Sequence, residues 1–218
     1  MMRIKICGIK TLADALSAIE AGADLLGFNF YPRSVRYLSP EACGRISQVL
    51  EKDFPHITRV GVFVNSPPNA IRATMEQGRL DLAQLHGDET PAWLAALGDR
   101  AFKAVRLPAH DGVDELEEAL LFTQLRQGQS PALLVDAAVQ GAYGGTGVVA
   151  DWTAAAELAK QAPLLLAGGL TAENVAAAVH QVRPWGVDTA SGVETNPGAK
   201  DARKMKAFVQ AARSISSE

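Results

Sequence analysis

Short apolar segments rich in β-branched residues alternate along the chain with longer segments whose apolar positions recur every three or four residues. The first pattern is typical of buried strands, and the second is typical of amphipathic helices. A helical segment follows each of the short segments. The predicted strands are Arg3–Cys7, Leu25–Phe30, Thr58–Val64, Leu82–Leu85, Phe102–Leu107, Ala132–Asp136, Leu164–Ala167 and Gly186–Thr189.

Small polar residues and prolines mark where several helices are expected to begin. Thr11 precedes the first apolar stripe as a capping residue, and Gly22 ends that helix. The second, third, fourth and seventh helices are expected to begin at Ser39-Pro40, Ser66-Pro67-Pro68, Thr90-Pro91 and Thr171. The last helix is predicted from Asp201 to about Ser214, with a polar tail after it.

The spacing of the predicted strands indicates the fold class. Strand starts lie about 26 residues apart on average, which fits repeated βαβ units and therefore a parallel sheet. No linker of Ser, Gly and Pro divides the chain. We therefore expect an α/β protein with a single (β/α)8 barrel domain over residues 1–218, ending in a polar tail from about residue 214. An open doubly wound sheet is the alternative if two of the predicted strands are wrong.

Composition and net charge indicate which classes of partner to exclude and in which compartment to expect the protein. Hydrophobic residues make up 48% and charged residues 21% of the 218 residues, which excludes disorder as the main state. A net charge of −3 argues against nucleic acid or an anionic membrane as a partner. The sequence has no signal-peptide pattern, no long apolar run and only two, unclustered cysteines. We expect a cytoplasmic protein.

Glycine-rich segments follow the last three predicted strands, namely Gly141–Gly147, Ala167–Leu170 and Ser191–Glu194. Glycine allows successive backbone N–H groups to converge on an anion, and barrel enzymes often bind phosphate after strands seven and eight. The pattern therefore predicts a small phosphorylated ligand; the alternative is that these glycines only form tight turns. The candidate phosphate-binding residues are Gly145, Gly168, Gly169, Ser191 and Gly192.

A thiol and a carboxyl end two of the predicted strands. Cys7 ends the first strand and Asp136 the sixth, so both would face the mouth of a barrel, and we expect them on opposing sides of it. Such a pair can serve as general base and general acid. The alternatives are a packed core cysteine and a carboxylate that braces a loop. Histidines and cysteines lack metal-ligand spacing, and we expect no metal.

Two further side chains are candidates for substrate contact. Arg36 lies in the loop after the second predicted strand and could hold a substrate carboxylate through its planar guanidinium. Arg33 lies three residues earlier, and spacing alone does not choose between the two arginines. His86 either lines the site or is a packed or hydrogen-bonded histidine.

Several motifs resemble phosphoribosylanthranilate isomerases of tryptophan biosynthesis. They occur in the same order over nearly the whole chain. The motifs are KICGIK (Lys5–Lys10), GFNFYPRSVRY (Gly27–Tyr37), VGVFVN (Val60–Asn65), QLHG (Gln84–Gly87), Asp136 with the following GGTG, AGGL (Ala167–Leu170) and DTASGVE (Asp188–Glu194). The chain departs from the family pattern at Thr189-Ala190, where Val-Ser is expected.

The resemblance implies a cofactor-free Amadori rearrangement of N-(5'-phosphoribosyl)anthranilate to 1-(2-carboxyphenylamino)-1-deoxyribulose 5-phosphate. It implies that Asp136 protonates the furanose ring oxygen and that Cys7 removes the C2 proton. It assigns the anthranilate carboxylate to Arg36 and the phosphate to the late glycine loops. Two alternatives stay open: another phosphosugar isomerase barrel, and a phosphate-binding barrel without catalysis. Monomer and homodimer are equally compatible with the pattern.

Overall fold

The structure is a computed structural model that describes residues 2–106, 113–126, 130–136 and 152–214, with the backbone alone for 113–115. Eight strands close into a barrel in chain order, each parallel to its neighbours, and the eighth strand pairs with the first. The strands are β1 Arg3–Cys7, β2 Leu25–Asn29, β3 Thr58–Phe63, β4 Leu82–Leu85, β5 Ala101–Arg106, β6 Leu133–Asp136, β7 Leu164–Ala167 and β8 Gly186–Thr189. The predicted (β/α)8 barrel is confirmed, and the open-sheet alternative is wrong.

Helices cover the outside of the barrel. They are α1 Leu12–Ala21, α2 Pro40–Asp53, α3 Pro68–Gln77, α4 Pro91–Leu97, α5 Val113–Gln124, α6 Thr153–Ala159, α7 Val175–Val182 and α8 Ala202–Arg213. Short 3-10 turns form at Gly98–Arg100 and Ser191–Val193, and the strands β9 Glu194–Asn196 and β10 Ala199–Lys200 form an antiparallel ribbon. Within the described ranges, no helix has both the length and the apolar character needed to cross a membrane.

Among the described residues, the alternation of side chains along the strands produces two hydrophobic clusters. The larger cluster lies between the sheet and the helices and contains Ile4, Ile6, Phe28 and Val187. The smaller cluster fills the barrel interior; it consists of Leu25, Val60, Phe102, Ala104, Leu134, Leu165 and Ala167, with Leu82 and Trp185 packed against it. Because both faces of every strand are covered, the strands read as nearly continuous apolar runs.

Helices α1 to α4 begin where the sequence predicts, although among these four a side chain caps the first turn only in α1 and α2. Thr11 Oγ1 accepts a hydrogen bond from the Asp14 N–H at 3.0 Å, and Ser39 caps α2 in the same way. Pro67 is the N-cap of α3 and Thr90 is the N-cap of α4, both within the predicted segments, but neither makes a side-chain capping hydrogen bond.

The N-cap of the seventh helix lies three residues later than the predicted cap Thr171: α7 starts at Val175 with Asn174 as its N-cap. Thr171 and Asn174 form a local turn instead. The Thr171 N–H donates to Asn174 Oδ1 at 2.8 Å, and the Glu173 N–H donates to Thr171 Oγ1 at 3.3 Å. Small polar residues stabilise such turns as readily as they cap a helix.

Candidate active site

The carboxyl end of the barrel brings together the two side chains proposed for acid–base chemistry. Cys7 is the last residue of β1, and Asp136 is the last residue of β6. In the barrel order only β7 and β8 separate these strands, so the two residues lie three positions apart around the mouth rather than directly opposite each other. The geometry of a barrel therefore places both groups at the end where βα loops form active sites.

The Cys7 thiol is buried, with 8% of the residue exposed. Gly27 on the neighbouring strand makes room for it, because a Cβ at that position would lie 2.7 Å from Cys7 Sγ. The described cations that interact electrostatically with Cys7 are Lys5, Arg36 and Lys200. A thiolate formed at Cys7 would thus lie among positive charges.

Lys5 lies two residues before Cys7 on β1 and is fully buried inside the barrel. Its Nζ donates to Asp188 Oδ1 on β8 at 2.9 Å. Burial opposes the charge on Lys5, yet the Asp188 carboxylate and the Cys7 sulfur outweigh burial and raise the pKa of Lys5 above its ordinary value. The sequence motifs do not indicate a role for Lys5. A charged residue between two isoleucines of a buried strand was the available signal, since such a charge requires a partner.

Asp136 is half-buried, with 24% of its side chain exposed. His86 Nε2 lies 3.8 Å from Asp136 Oδ2. On its other side, His86 Nδ1 lies 2.9 Å from the buried Gln84 Nε2. The His86 ring is therefore held by a hydrogen bond and also lies beside the carboxyl of Asp136.

The loop that carries His86 is braced by a buried carboxylate that sequence reasoning missed. Glu89 accepts hydrogen bonds from the Asn65 and Gly87 N–H groups, both at 2.8 Å, and pairs with Lys103 at 3.2 Å. These contacts tie together the loops after β3 and β4. A cavity of about 430 Å³ opens beside them, at the carboxyl ends of β4 and β5.

The structure distinguishes the two arginines of the loop after β2. Arg33 is exposed, whereas Arg36 is half-buried and donates two hydrogen bonds to Glu194 at 2.8 and 2.7 Å. Lys200 Nζ donates to the same carboxylate at 2.9 Å. Burial opposes the charge on Glu194, but the hydrogen bonds from Arg36 and Lys200 outweigh it and lower the pKa of Glu194 to about 2.

The loops after β7 and β8 contain four of the candidate phosphate residues. Gly168 and Gly169 both have positive φ angles, 99° and 64°, which a residue with a side chain would adopt only with strain. Nothing lies within 4 Å of a Cβ built on Gly169, so open space adjoins its backbone. Ser191 is exposed at the start of the 3-10 turn after β8. Gly145 and the rest of its glycine-rich segment lie outside the described residues.

The two late loops are joined directly to each other. Thr189 Oγ1 donates to the Leu170 carbonyl oxygen at 2.8 Å. A Cβ on Gly192 would overlap that same carbonyl, so only glycine allows the loops to approach this closely. The residue at which the chain departs from the family pattern, Thr189, therefore has a structural role that its sequence position did not indicate.

Across the described ranges, the side chains of His, Cys, Asp and Glu form no group of three or more that could hold a metal ion. The fold and the site define a class of protein: a (β/α)8-barrel enzyme with a thiol and a carboxyl at the carboxyl end of the barrel and glycine loops beside them.

Comparisons with known proteins identify the family within that class. Residues 4–211 match the family described as N-(5'-phosphoribosyl)anthranilate (PRA) isomerase. The N-(5'-phosphoribosyl)anthranilate isomerase of Geotalea daltonii is 44% identical over 213 residues, which cover 98% of this chain and 97% of that protein. The chain belongs to the N-(5'-phosphoribosyl)anthranilate isomerase family, and the resemblance carried by its motifs is confirmed.

Solved structures of the family have the same fold. The phosphoribosyl anthranilate isomerase from Thermotoga maritima is 39% identical with a TM-score of 0.85, and the match covers 98% of this chain and 99% of that one. A family structure in complex with reduced 1-(o-carboxyphenylamino)-1-deoxyribulose 5-phosphate is 37% identical with a TM-score of 0.82, over 98% and 99% of the two chains. Monomers generated from the dimeric Thermotoga maritima protein match with a TM-score of 0.82 at 37% identity, over 98% and 100% of the two chains.

Proposed function

We propose that this chain isomerises N-(5'-phosphoribosyl)anthranilate with Cys7 as the general base and Asp136 as the general acid. Membership of the family makes the chain an isomerase of tryptophan biosynthesis, in the aldose–ketose class. The observation that most supports the assignment of the two residues is their position. Each ends a strand at the carboxyl end of one barrel, the thiol among cations and the carboxyl within reach of solvent.

Asp136 would act first. Its carboxylic acid gives a proton to the furanose ring oxygen as the bond from C1 to that oxygen breaks. The nitrogen lone pair forms the C1=N double bond of an open-chain Schiff base. A carboxyl that is half-buried beside a histidine is suited to exchange protons with a substrate and with solvent.

Cys7 would act second, in its thiolate form. It removes the proton from C2 of the Schiff base, and the electron pair moves through C1 to the iminium nitrogen, which gives an enol amine. C1 then gains a proton and the C2 hydroxyl loses one, which yields the ketone at C2. C2 is oxidised and C1 is reduced within the same molecule, so the electrons balance without an external redox partner, in agreement with the expected absence of a cofactor.

Binding of the two anionic ends of the substrate is assigned to the remaining candidates. Arg36 would hold the anthranilate carboxylate, because it interacts electrostatically with the proposed base Cys7 and could bind that group while the ribose lies over the barrel mouth. The phosphate would bind to backbone N–H groups of the loops that contain Gly145, Gly168, Gly169, Ser191 and Gly192.

Compartment and assembly are proposals of the same kind. Neither Cys7 nor Cys43 forms a disulfide, which agrees with a reducing cytoplasm. The domain is proposed to span residues 1–218, with a polar tail from about residue 214. We infer a monomer or a homodimer; one chain carries all the proposed catalytic groups, so each subunit would be active by itself in either state.

The two cysteines provide a matched test of the base. Cys7→Ser should lower kcat by roughly 100-fold or more with little change in KM, because a serine hydroxyl is a far weaker base at neutral pH. Cys43→Ser is the control: Cys43 is fully buried on α2, and burial raises the pKa of its thiol to about 11, so it stays protonated. Its activity should match the parent. Equal activity of Cys7→Ser and the parent would contradict the assignment.

A further inference from the structure

Glu194 binds one edge of the Arg36 guanidinium through two hydrogen bonds. These bonds determine which N–H groups of Arg36 remain free to bind a ligand. Arg36 Nε donates to Glu194 Oε1 at 2.8 Å, and Nη2 donates to Oε2 at 2.7 Å. Two parallel hydrogen bonds of this kind fix both the position and the plane of the guanidinium. The Nε–Nη2 edge is thus committed to a carboxylate of the protein itself.

The rest of the Arg36 side chain is fixed by its surroundings. Gly8, with a φ of 82°, lies beneath the stem, since a Cβ there would be 2.5 Å from Arg36 Cδ. The Arg36 N–H donates to Ser34 Oγ at 3.1 Å. Over the described ranges, Arg36 Nη1 has no hydrogen-bond partner, and 23% of the side chain is exposed. The Nη1–Nη2 end of the guanidinium is therefore the part that a ligand can reach.

Glu194 is held in place from a second direction. Lys200 Nζ, which is fully buried, donates to Glu194 Oε1 at 2.9 Å and to the Ala190 carbonyl oxygen at 2.8 Å. Only 4% of the Glu194 side chain is exposed. Without the carboxylate, Arg36 and Lys200 would be neighbouring cations with no anion between them, and Arg36 would move toward solvent to escape the repulsion.

We propose that Glu194 is a positioning residue, which presents the Nη1–Nη2 end of Arg36 to the substrate carboxylate. This inference rests on the proposed function, because it needs Arg36 to be the group that binds the anthranilate carboxylate. Glu194 does not touch the substrate. It holds the guanidinium in one orientation before the substrate arrives, so that little side-chain freedom is lost on binding.

The proposal is tested by how strongly the protein distinguishes a ligand with the carboxylate from one without it. The two probes are reduced 1-(o-carboxyphenylamino)-1-deoxyribulose 5-phosphate and its decarboxylated counterpart, reduced 1-phenylamino-1-deoxyribulose 5-phosphate. Titration calorimetry gives a Kd for each, and the ratio of the two Kd values is the readout. The parent is expected to prefer the carboxylated ligand by about 10-fold or more, as for a hydrogen bond between charged groups.

Four variants separate the possible roles. Arg36→Met should reduce the ratio to about 1, and Glu194→Gln should remove most of the preference. Glu194→Asp keeps the charge with a shorter reach and should give an intermediate ratio. Glu51→Gln is the control, because Glu51 pairs with Arg79 at 2.8 Å on the exposed surface of α2, and the ratio should stay at the parent value.

Each outcome bears on one claim. If Arg36→Met removes the preference and Glu194→Gln keeps it, the positioning role is wrong while the role of Arg36 stands. If Glu194→Gln weakens both ligands equally, Glu194 only stabilises the loop, and the proposal is again wrong. If Arg36→Met keeps the preference, the proposed carboxylate site itself is wrong. Should Glu194→Gln fail to fold, a parent-like ratio in Glu194→Asp would overturn the proposal.

Discussion

At the level of single residues, the carboxyl of Glu194 links the site to the stability of the protein. Its pKa of about 2 lies below the ordinary value of 4.5, because the hydrogen bonds from Arg36 and Lys200 outweigh the effect of burial. A carboxyl with a lowered pKa in the folded state stabilises the fold above its ordinary pKa. That contribution is lost as the pH falls toward the folded-state value.

This argument predicts a difference between the parent and Glu194→Gln that depends on pH. The free energy of unfolding of the parent should exceed that of the variant near neutral pH, and the difference should shrink between about pH 4.5 and pH 2. Urea unfolding followed by circular dichroism at several pH values measures it. A difference that stays constant across this range would show that the ion pair does not lower the pKa as described.

The sequence predicts where a candidate site residue lies in the barrel when that residue ends a strand. Cys7 and Asp136 follow from counting strands and taking the last residue of each. The ion pairs of the site were not predictable in this way. Lys5 and its partner are 183 residues apart, and Arg36 and its partner are 158 residues apart. Only the closed barrel brings such residues together.

At the level of elements, the strands were predicted more accurately than the helix starts. Each of the eight barrel strands lies within one residue of its prediction at each end, because a fully buried strand is a continuous apolar run with sharp ends, whereas the short strands β9 and β10 were not predicted. A Ser or Thr before an apolar helical segment is a weaker signal, because it does not show whether its side chain caps the helix. Thr11 and Thr90 are both N-cap residues, but only the Thr11 side chain makes a hydrogen bond to the first turn of its helix.

The two threonines make a matched pair for testing this point. Thr11→Ala removes a capping hydrogen bond and should lower the free energy of unfolding by about 1 kcal/mol. For a chain of this size, that corresponds to a decrease in Tm of about 2–4 °C. Thr90→Ala removes no capping bond and should change Tm by less than about 1 °C. Differential scanning calorimetry compares them, and equal effects would contradict the capping assignment.

At the level of the whole molecule, the barrel explains how groups from distant parts of the chain form one site. The proposed base comes from β1, the proposed acid from β6, the arginine proposed to bind the substrate carboxylate from the loop after β2, and its proposed positioning carboxylate from β9. The eight-fold repeat of strands made the fold predictable, since eight units without a linker close most readily into a barrel. The buried ion pair of Lys5 and Asp188 inside the barrel was not predictable, because hydrophobic periodicity shows only which positions are buried and not which side chains pair there.

The most direct measurement for the whole account is the loss of fluorescence of freshly generated N-(5'-phosphoribosyl)anthranilate on addition of the purified chain, with Asp136→Asn as the comparison. The parent should remove the signal rapidly, and the variant, which has no proton to give to the ring oxygen, should be slower by roughly 100-fold or more. The account is contradicted if folded parent protein leaves the fluorescence unchanged, or if Asp136→Asn removes it as fast as the parent does.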